Sequence, residues 1–379
     1  MSFKKVILLS PAHPLRGGIA ALSERLAIAL QDNGVGVTIY SFRLQYPSIL
    51  FPGKTQFTTD PAPDQLHIKT IVNSINPFNW WRVGKMIRTE KPDLLLIRYW
   101  LPFMAPCLRT IARIAKKNKH TKVIAIADNV LPHEKRPGDY WLTQYFVKAV
   151  DAFLVMSHAV EQDLRQFDQT KPIGYSPHPI YDHYGDPVEQ EAAKAYLKLS
   201  QNDKHLLFFG FIRKYKGLDL LLEALADERL KKMHLKLIIA GEFYDDPAFY
   251  QDIIHKHHLS HQVILNQDFI PNEQVKYYFG AADLIVQPYR SATQSGISQI
   301  AYHFEKPMIV TDVGGLPEIV FHGETGYAVA LQPEAIAAAI VDFFENNKAA
   351  QMQAAIKKHK KLFSWDRMLE NLHLLYEKI

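Results

Sequence analysis

Apolar residues follow two alternating patterns along the chain, short continuous runs and longer stretches with helical spacing. Residues 6–9 form a continuous apolar run, which is typical of a strand buried on both faces. Between residues 19 and 29, apolar side chains recur three or four positions apart, and this spacing predicts a helix. Gly34 is of the residue type that ends helices, and residues 35–42 predict the next strand.

The alternation of strand and helix patterns continues over the rest of the sequence. It predicts a helix at 218–225 and a mainly helical stretch at 333–379. Further strands are predicted at 94–97, 123–127, 152–156, 206–209, 235–240, 263–265, 284–286 and 308–310. A chain that alternates in this way forms an α/β structure, with helices on both faces of a parallel sheet.

The segment 173–186 interrupts this alternation. It is rich in Pro, Gly and Tyr and lacks helical spacing, so we place a domain boundary within it. A chain of 379 residues is long enough for two domains of about 100–200 residues each. Because the halves show no strong sequence similarity to each other, we expect two similar α/β domains rather than a repeat.

Composition narrows the class of protein and its cellular setting. Apolar residues make up 47% and charged residues 22% of the chain, which excludes general disorder. The single cysteine, Cys107, allows no intramolecular disulfide and fits a reducing compartment, and we expect it to serve packing. The first apolar run is too short for a signal peptide, and no apolar stretch of roughly 18 residues occurs. These features predict a cytoplasmic location.

Glycines and cations cluster in loops that follow predicted strands, where sheets of this kind bind ligands. Arg16 precedes Gly17 and Gly18 at a predicted helix start, where the backbone can approach a phosphate closely. A tight turn is the alternative. Arg213 and Lys216 lie between a strand and a helix, where they would stabilise a departing diphosphate. Solvated surface charges are the alternative there.

A third loop of this kind, residues 287–299, also leads from a strand into a helix. Thr293, Gln294 and Ser295 supply hydroxyl and amide groups just before Gly296. The free amides of the helix start would hold a phosphate or a sugar hydroxyl. The alternative is that Ser295 only caps the helix.

Two common nucleotide-binding motifs are missing. The first loop lacks G-x-G-x-x-G, and the second predicted strand ends in Tyr40-Ser41-Phe42 rather than an acidic residue. Both features disfavour a nicotinamide-dependent dehydrogenase. The string G-x-x-x-x-G-K-[ST] does not occur, which excludes a P-loop enzyme.

Five segments together resemble the GT-B glycosyltransferases, specifically glycosyltransferase family 4. They are 16–20, 208–225, 238–242, 281–289 and 306–329. The resemblance implies two Rossmann-like, doubly wound domains that face a central cleft. The expected ranges are 1–178 for an acceptor-binding domain, 179–362 for a nucleotide-sugar-binding domain and 363–379 for a helix that crosses back to the first domain.

The resemblance also implies the reaction and its site. It implies a retaining, metal-independent hexosyltransferase that moves a sugar from a nucleoside-diphosphate sugar to an acceptor hydroxyl, without a cofactor. The implied catalytic residues are Arg213, Lys216 and Asp128. The implied donor-binding residues are Gly17, Gly18, Gly210, Glu242, Phe269, Ile270, Thr293, Gln294, Ser295, Gly296 and Gln299. Arg16, Asn129 and His133 are expected on the acceptor or sugar side.

The sequence departs from the family pattern at three places. The two glutamates of the family fall on Ala292 and Ile300, and the family's first loop arginine falls on Phe211. Asp128 stands where a histidine often follows the strand, and it can accept a hydrogen bond from a sugar hydroxyl. A sugar-nucleotide epimerase of this fold and a catalytically silent binding or partner subunit are therefore alternatives.

Charge is concentrated in one segment. Residues 82–122 hold eleven Lys or Arg and two acidic residues, with several aromatic residues close by. Such a surface suits an anionic membrane and a glycan or lipid-linked acceptor, although a solvated helix face is an equal alternative. No nucleic-acid recognition module is present, and the tract 255–261, rich in histidine, lacks the third spaced ligand of a metal site.

Overall fold

The structure is a computed structural model that describes residues 1–47, 55–58, 61–130 and 137–379. The chain forms two compact units. Unit 1 comprises Met1–His178 together with Trp365–Ile379, and unit 2 comprises Pro179–Ser364. Both units are α/β structures built on a parallel sheet, which confirms the predicted fold class.

Unit 1 contains a sheet of seven strands within the described ranges. The strands are β1 (Lys5–Leu9), β2 (Gly36–Leu44), β3 (Ile68–Asn73), β4 (Leu94–Tyr99), β5 (Lys122–Ala127), β6 (Ala152–Val155) and β7 (Ile173–Tyr175). Their order is β3-β2-β1-β4-β5-β6-β7. The helices are α1 (Gly18–Asp32), α2 (Pro77–Glu90), α3 (Ala105–Ala115), α4 (Asp139–Val147), α5 (His158–Arg165) and a C-terminal helix described below.

Burial explains why the central strands of unit 1 consist of apolar runs. All six residues of β4 are buried, since helices cover both faces of the sheet. On α3, the apolar residues Leu108, Ile111 and Ala115 form a stripe that is fully buried in the core. The two short elements that flank α3 are single turns of 3-10 helix at Pro102–Met104 and Lys116–Asn118.

Unit 2 contains a second parallel sheet, with six strands in the described part of the chain. They are β8 (Lys204–Phe209), β9 (Leu235–Ala240), β10 (Val263–Asn266), β11 (Leu284–Gln287), β12 (Met308–Thr311) and β13 (Gly326–Val329). Their order is β10-β9-β8-β11-β12-β13. The helices are α6 (Gln190–Tyr196), α7 (Leu218–Leu225), α8 (Glu228–Lys231), α9 (Pro247–Lys256), α10 (Asn272–Ala281), α11 (Gly296–His303), α12 (Pro333–Glu345) and α13 (Ala349–His359).

The last helix, α14 (Trp365–Glu377), belongs to unit 1 although it follows unit 2 in sequence. The rings of Phe3 and Tyr376 lie 5.0 Å apart, and Lys122 Nζ lies 4.1 Å from the centre of the Tyr376 ring. At the other end of the helix, the Arg25 guanidinium lies 5.2 Å from the Trp365 ring. Aromatic and cation–π contacts therefore attach α14 to unit 1.

Only part of the basic segment 82–122 lies at the protein surface. It runs through α2, β4, α3 and β5, and β4 lies wholly inside the protein. Arg98 of β4 is completely buried. The exposed cations of the segment lie on α2, on α3 and in the turns after these helices, so these helices and turns form its charged surface. None of the described helices is long and apolar enough to cross a bilayer.

Candidate active site

Each sheet has one position where the direction of strand order reverses, and such positions form the crevices that bind ligands in α/β folds. In unit 1 the reversal lies between β1 and β4, and in unit 2 it lies between β8 and β11. The loops after β8 and β11 are two of the loops that the sequence singled out. The fold of unit 2 therefore brings the loop with Arg213 and Lys216 beside the loop with Ser295.

Gly210, the first residue after β8, marks where these two loops meet. Its φ is 96°, in the left-handed region that favours glycine. A methyl group at this position would lie 3.2 Å from Lys216 Nζ and 3.3 Å from Ile297 Cδ1. The ammonium group of Lys216 and the first turn of α11 therefore both lie next to the same glycine.

Lys216 is unusual for a lysine because it is only 8% exposed. It ends a turn of 3-10 helix, Lys214–Lys216, and Gly217, with a positive φ of 68°, directly precedes α7. Burial lowers the pKa of Lys216 to about 8, with a smaller contribution from the positive charge of Arg213. A buried cation of this kind is favoured by a bound anion.

Aromatic rings flank both cations. The Lys216 ammonium lies 5.4 Å from the ring centre of Tyr289, and the Arg213 guanidinium lies 4.8 Å from that of Tyr244. Burial raises the pKa of Tyr289, so its hydroxyl stays neutral at physiological pH. Arg213 is half-buried, whereas Lys214 in the same loop is exposed.

The start of α11 has no side-chain cap. Ser295 occupies the capping position, but its side chain makes no hydrogen bond to the amides of the helix. Its hydroxyl donates instead to Gln287 Oε1 at 2.6 Å. The first amides of an eight-residue helix are thus left to other acceptors, which argues against the cap alternative. Thr293 and Gln294 precede this point and are half-buried.

Arg290 is a residue that the sequence analysis missed. Its guanidinium donates to both carboxylate oxygens of Asp219, at 2.8 and 2.6 Å, and to the carbonyl of Lys214 at 3.1 Å. Its backbone amide donates to the carbonyl of Tyr215 at 2.6 Å. Arg290 therefore fastens the loop of Arg213 and Lys216 to the loop after β11. A lone arginine between a strand and a helix gives no sequence signal for such a role.

The remaining residues predicted to bind the donor lie in the loops after β9 and β10 and on α11. Glu242 is buried and follows Gly241, which packs so closely on Gly210 that a methyl group there would lie 2.2 Å from the Gly210 carbonyl oxygen. After β10, Phe269 is exposed and Ile270 is buried. Gln299 is fully buried, and neither of its amide atoms has a hydrogen-bond partner in the described structure.

In unit 1, Gly17 and Gly18 lie exposed at the start of α1, after β1. Gly17 has a φ of 115°, and no side chain caps the helix. Arg16 Nε donates to the carbonyl of Thr55 at 2.9 Å. Asn129 is half-buried after β5, and His133 lies outside the described residues.

Asp128 has a charged partner that the sequence analysis did not predict. Arg98 Nε donates to Asp128 Oδ2 at 3.0 Å, and Arg98 Nη2 donates to Asp128 Oδ1. Arg98 is one of the eleven cations of the basic segment 82–122. The two residues instead form a buried ion pair, because β4 and β5 are neighbours and both side chains lie on one face of the sheet.

The structure also bears on metal and thiol chemistry in this chain. Among the described residues, no cluster of three or more His, Cys, Asp or Glu side chains could hold a metal ion. The helix α9 ends at Lys256, so most of the tract 255–261 follows the helix. Cys107 is buried in the core of unit 1, and burial raises the pKa of its thiol, as expected for a packing role.

Family comparisons agree with this arrangement in both halves. Residues 189–361 match the family described as glycosyl transferases group 1, and residues 16–180 match glycosyltransferase family 4. An uncharacterized glycosyltransferase from Methanocaldococcus jannaschii is 23% identical over 100% of this chain and 99% of its own length. A D-inositol 3-phosphate glycosyltransferase from Streptomyces scabiei is 30% identical over 298 residues, 72% of this chain and 65% of that protein.

Solved structures share the fold over the whole chain. A sucrose-phosphate synthase from Thermosynechococcus elongatus superposes with a TM-score of 0.75 at 17% identity, over 99% of this chain and 98% of that one. Anabaena HepE in complex with UDP and glucose gives a TM-score of 0.73 at 15% identity, over 99% and 100%. The protein is thus a glycosyltransferase with the GT-B fold. Within that class, residues 189–361 place the C-terminal half of the chain among the group 1 glycosyltransferases.

Proposed function

We propose that the protein transfers a hexosyl group from a nucleoside-diphosphate sugar to an acceptor hydroxyl, with retention of anomeric configuration. The observation that carries this proposal is the meeting of the Lys216 ammonium and the uncapped start of α11 at Gly210. Two positive groups there face the place where a diphosphate would lie. In this assignment unit 2 binds the donor and unit 1 binds the acceptor.

The proposed step breaks the bond between the anomeric carbon and the oxygen of the diphosphate. Negative charge then develops on the leaving diphosphate, where Arg213, Lys216 and the amides of α11 neutralise it. The acceptor hydroxyl attacks the anomeric carbon on the face that the diphosphate leaves. A phosphate oxygen of the leaving group takes the hydroxyl proton. Protein cations thus do the work that a divalent metal does in other transferases.

The donor is proposed to be a UDP-sugar. The structure that supports this choice is HepE, whose complexes contain UDP with glucose and also UDP-glucose. UDP-glucose is therefore the first donor to test.

We further propose that the acceptor is a glycan or a lipid-linked glycan on the cytoplasmic membrane face, in polysaccharide or glycolipid synthesis. Exposed aromatic residues support this proposal, since Phe78 on α2 is 85% exposed and Trp141 on α4 is 76% exposed. Exposed cations, including Arg113 and Lys117, lie on α3 and the turn after it, between these two helices. Aromatic and basic side chains together suit an anionic bilayer surface.

The test is release of UDP from UDP-glucose, UDP-galactose and UDP-N-acetylglucosamine, with GDP-mannose as a further donor, at matched enzyme concentration. A transferase releases the nucleotide slowly to water and faster when an acceptor is added. Saturable binding without nucleotide release would instead identify a silent binding subunit. Conversion of the sugar on an intact nucleotide would identify an epimerase.

A further inference from the structure

The ion pair between Arg98 and Asp128 lies at the edge of the unit 1 sheet where ligands are expected. Arg98 is the second-last residue of β4, and Asp128 directly follows β5. Arg98 is 0% exposed and Asp128 is 5% exposed. The guanidinium engages both carboxylate oxygens in a fork, with a distance of 3.0 Å between Nε and Oδ2. Only the carboxylate end of the pair approaches the protein surface.

Stability alone does not account for this pair. Removing two charges from water is costly, and apolar residues in the same place often stabilise a protein as well or better. The preceding residues of β4, Leu94 to Ile97, are all buried apolar residues, so the strand otherwise follows that rule. In addition, Arg98 Nη1 is buried without an acceptor among the described residues. A buried donor left without an acceptor is itself unfavourable. Groups that break packing rules in this way are typical of functional sites.

The position of the ion pair indicates a role in substrate binding. β4 adjoins β1 at the reversal of strand order, and Gly17 at the start of α1 follows β1. We propose that Arg98 is a positioning residue, which holds the Asp128 carboxylate so that it accepts a hydrogen bond from a hydroxyl of a sugar substrate. This inference rests on the proposed function, because it assigns a role within sugar transfer.

The chemistry of the two groups suits this role. An ionised carboxylate offers about four lone-pair sites, which is more than a bidentate guanidinium occupies. The planar fork fixes the plane of the carboxylate, which a single ammonium group does not do. The sugar hydroxyl can belong to the donor or to the acceptor, and these two sources give different kinetic results.

The test compares three variants of the full-length protein. Asp128→Asn removes the charge of the acceptor group, and Arg98→Lys keeps the cation but loses the fork. The double variant Arg98→Gln with Asp128→Asn replaces the ion pair by a neutral amide pair, so no unpaired charge remains if a single variant fails to fold. UDP affinity and thermal unfolding are measured for each, because a merely structural pair would alter the folding of the protein.

The expected result is a fall in kcat/KM for sugar transfer of at least about tenfold in all three variants, with UDP affinity unchanged, as for loss of a charge-assisted hydrogen bond.

The two sources of the hydroxyl give different results. If the hydroxyl belongs to the donor, the wild type should use one deoxygenated UDP-glucose poorly, and Asp128→Asn should cause no further loss with that donor. If it belongs to the acceptor, UDP release to water is unchanged and only transfer falls. A folded double variant with wild-type kcat/KM overturns the inference and leaves the proposed function intact. A wild type that releases no UDP from any donor overturns both.

Discussion

The hydroxyl of Ser295 donates a hydrogen bond of 2.6 Å to Gln287 Oε1, so it is not available to the helix that begins at the next residue. Gln287 Nε2 donates in turn to Ser298 Oγ at 3.0 Å. This buried network ties the last residue of β11 to the first turn of α11. It fixes the direction of the helix start and leaves the first amides for an anion.

The network predicts different results for two neighbouring substitutions. Ser295→Ala should lower the free energy of unfolding by about 1 kcal/mol, through loss of one hydrogen bond, and leave UDP affinity unchanged. Gln294→Ala should weaken the binding of the sugar nucleotide about tenfold with little change in Tm, because an amide contact to the sugar is lost. Urea unfolding and calorimetric titration measure the two quantities. A Gln294→Ala variant with normal affinity would remove Gln294 from the site.

The lowered pKa of Lys216 predicts a pH dependence of diphosphate binding. Burial disfavours the charged form, so the free protein loses the lysine proton as pH rises through about 8. UDP binds the protonated form, hence UDP affinity should fall above pH 8 by up to about tenfold per pH unit. The phosphates of UDP are already ionised over this range, since a terminal phosphate has its second pKa near about 6.

Lys216→Arg is the control for this pH dependence. Arginine stays protonated at every pH used, so the variant should bind UDP with nearly constant affinity between about pH 7 and 9.5. The measurement is the dissociation constant of UDP at several pH values at fixed ionic strength. The same fall of affinity in the wild type and in Lys216→Arg would show that another group titrates.

Arg290 predicts an indirect effect on the same site. Arg290→Lys keeps the charge but cannot reproduce the paired bonds to Asp219 and the bond to the Lys214 carbonyl. We expect the free energy of unfolding to fall by about 1–3 kcal/mol and UDP affinity to weaken, because the loop is no longer fastened. Arg229→Lys is a suitable control, since Arg229 forms an exposed fork with Asp227 outside these loops. Equal effects of the two substitutions would contradict the assigned role of Arg290.

The helical surface of unit 1 predicts salt-sensitive binding to anionic vesicles. Arg113→Glu with Lys117→Glu should weaken binding at least tenfold, at about 1 kcal/mol for each basic residue near the surface. The control is Lys232→Glu with Lys256→Glu, which changes the net charge by the same amount at exposed positions of unit 2. This control should weaken vesicle binding less. Sedimentation with phosphatidylglycerol vesicles at low and high salt measures both. Equal vesicle binding by the wild type and both double variants would show that this surface does not bind the membrane.

The sequence predicted most of the strands but missed β3, β7 and β13. All three lie at the edge of a sheet. An edge strand has one neighbour and is less buried, so its residues need not form a continuous apolar run. β7 shows this clearly, since none of its three residues is fully buried. The central strands, which are buried on both faces, were recognisable because burial demands apolar residues.

The loops of the candidate site were predictable, whereas the contacts within them were not. Lys216 and Ser295 could be placed in loops between strands and helices from the local sequence alone. The partners Arg98 of Asp128 and Arg290 of Asp219 could not, because each pair joins residues 30 and 71 positions apart, respectively. Such pairs depend on which strands are neighbours, and local periodicity does not report the order of strands in a sheet.

The central claim is that Arg213 and Lys216 neutralise the leaving diphosphate. The most direct test is the rate of sugar transfer from UDP-glucose, or from whichever donor of the panel is used, by Arg213→Ala, Lys216→Ala and Lys214→Ala. Lys214→Ala removes one exposed positive charge from the same loop and serves as the matched control. We predict that the first two variants each raise the barrier by about 2–4 kcal/mol, with kcat falling at least about thirtyfold, while Lys214→Ala stays within about threefold of the wild type. Wild-type kcat in both Arg213→Ala and Lys216→Ala would contradict the account.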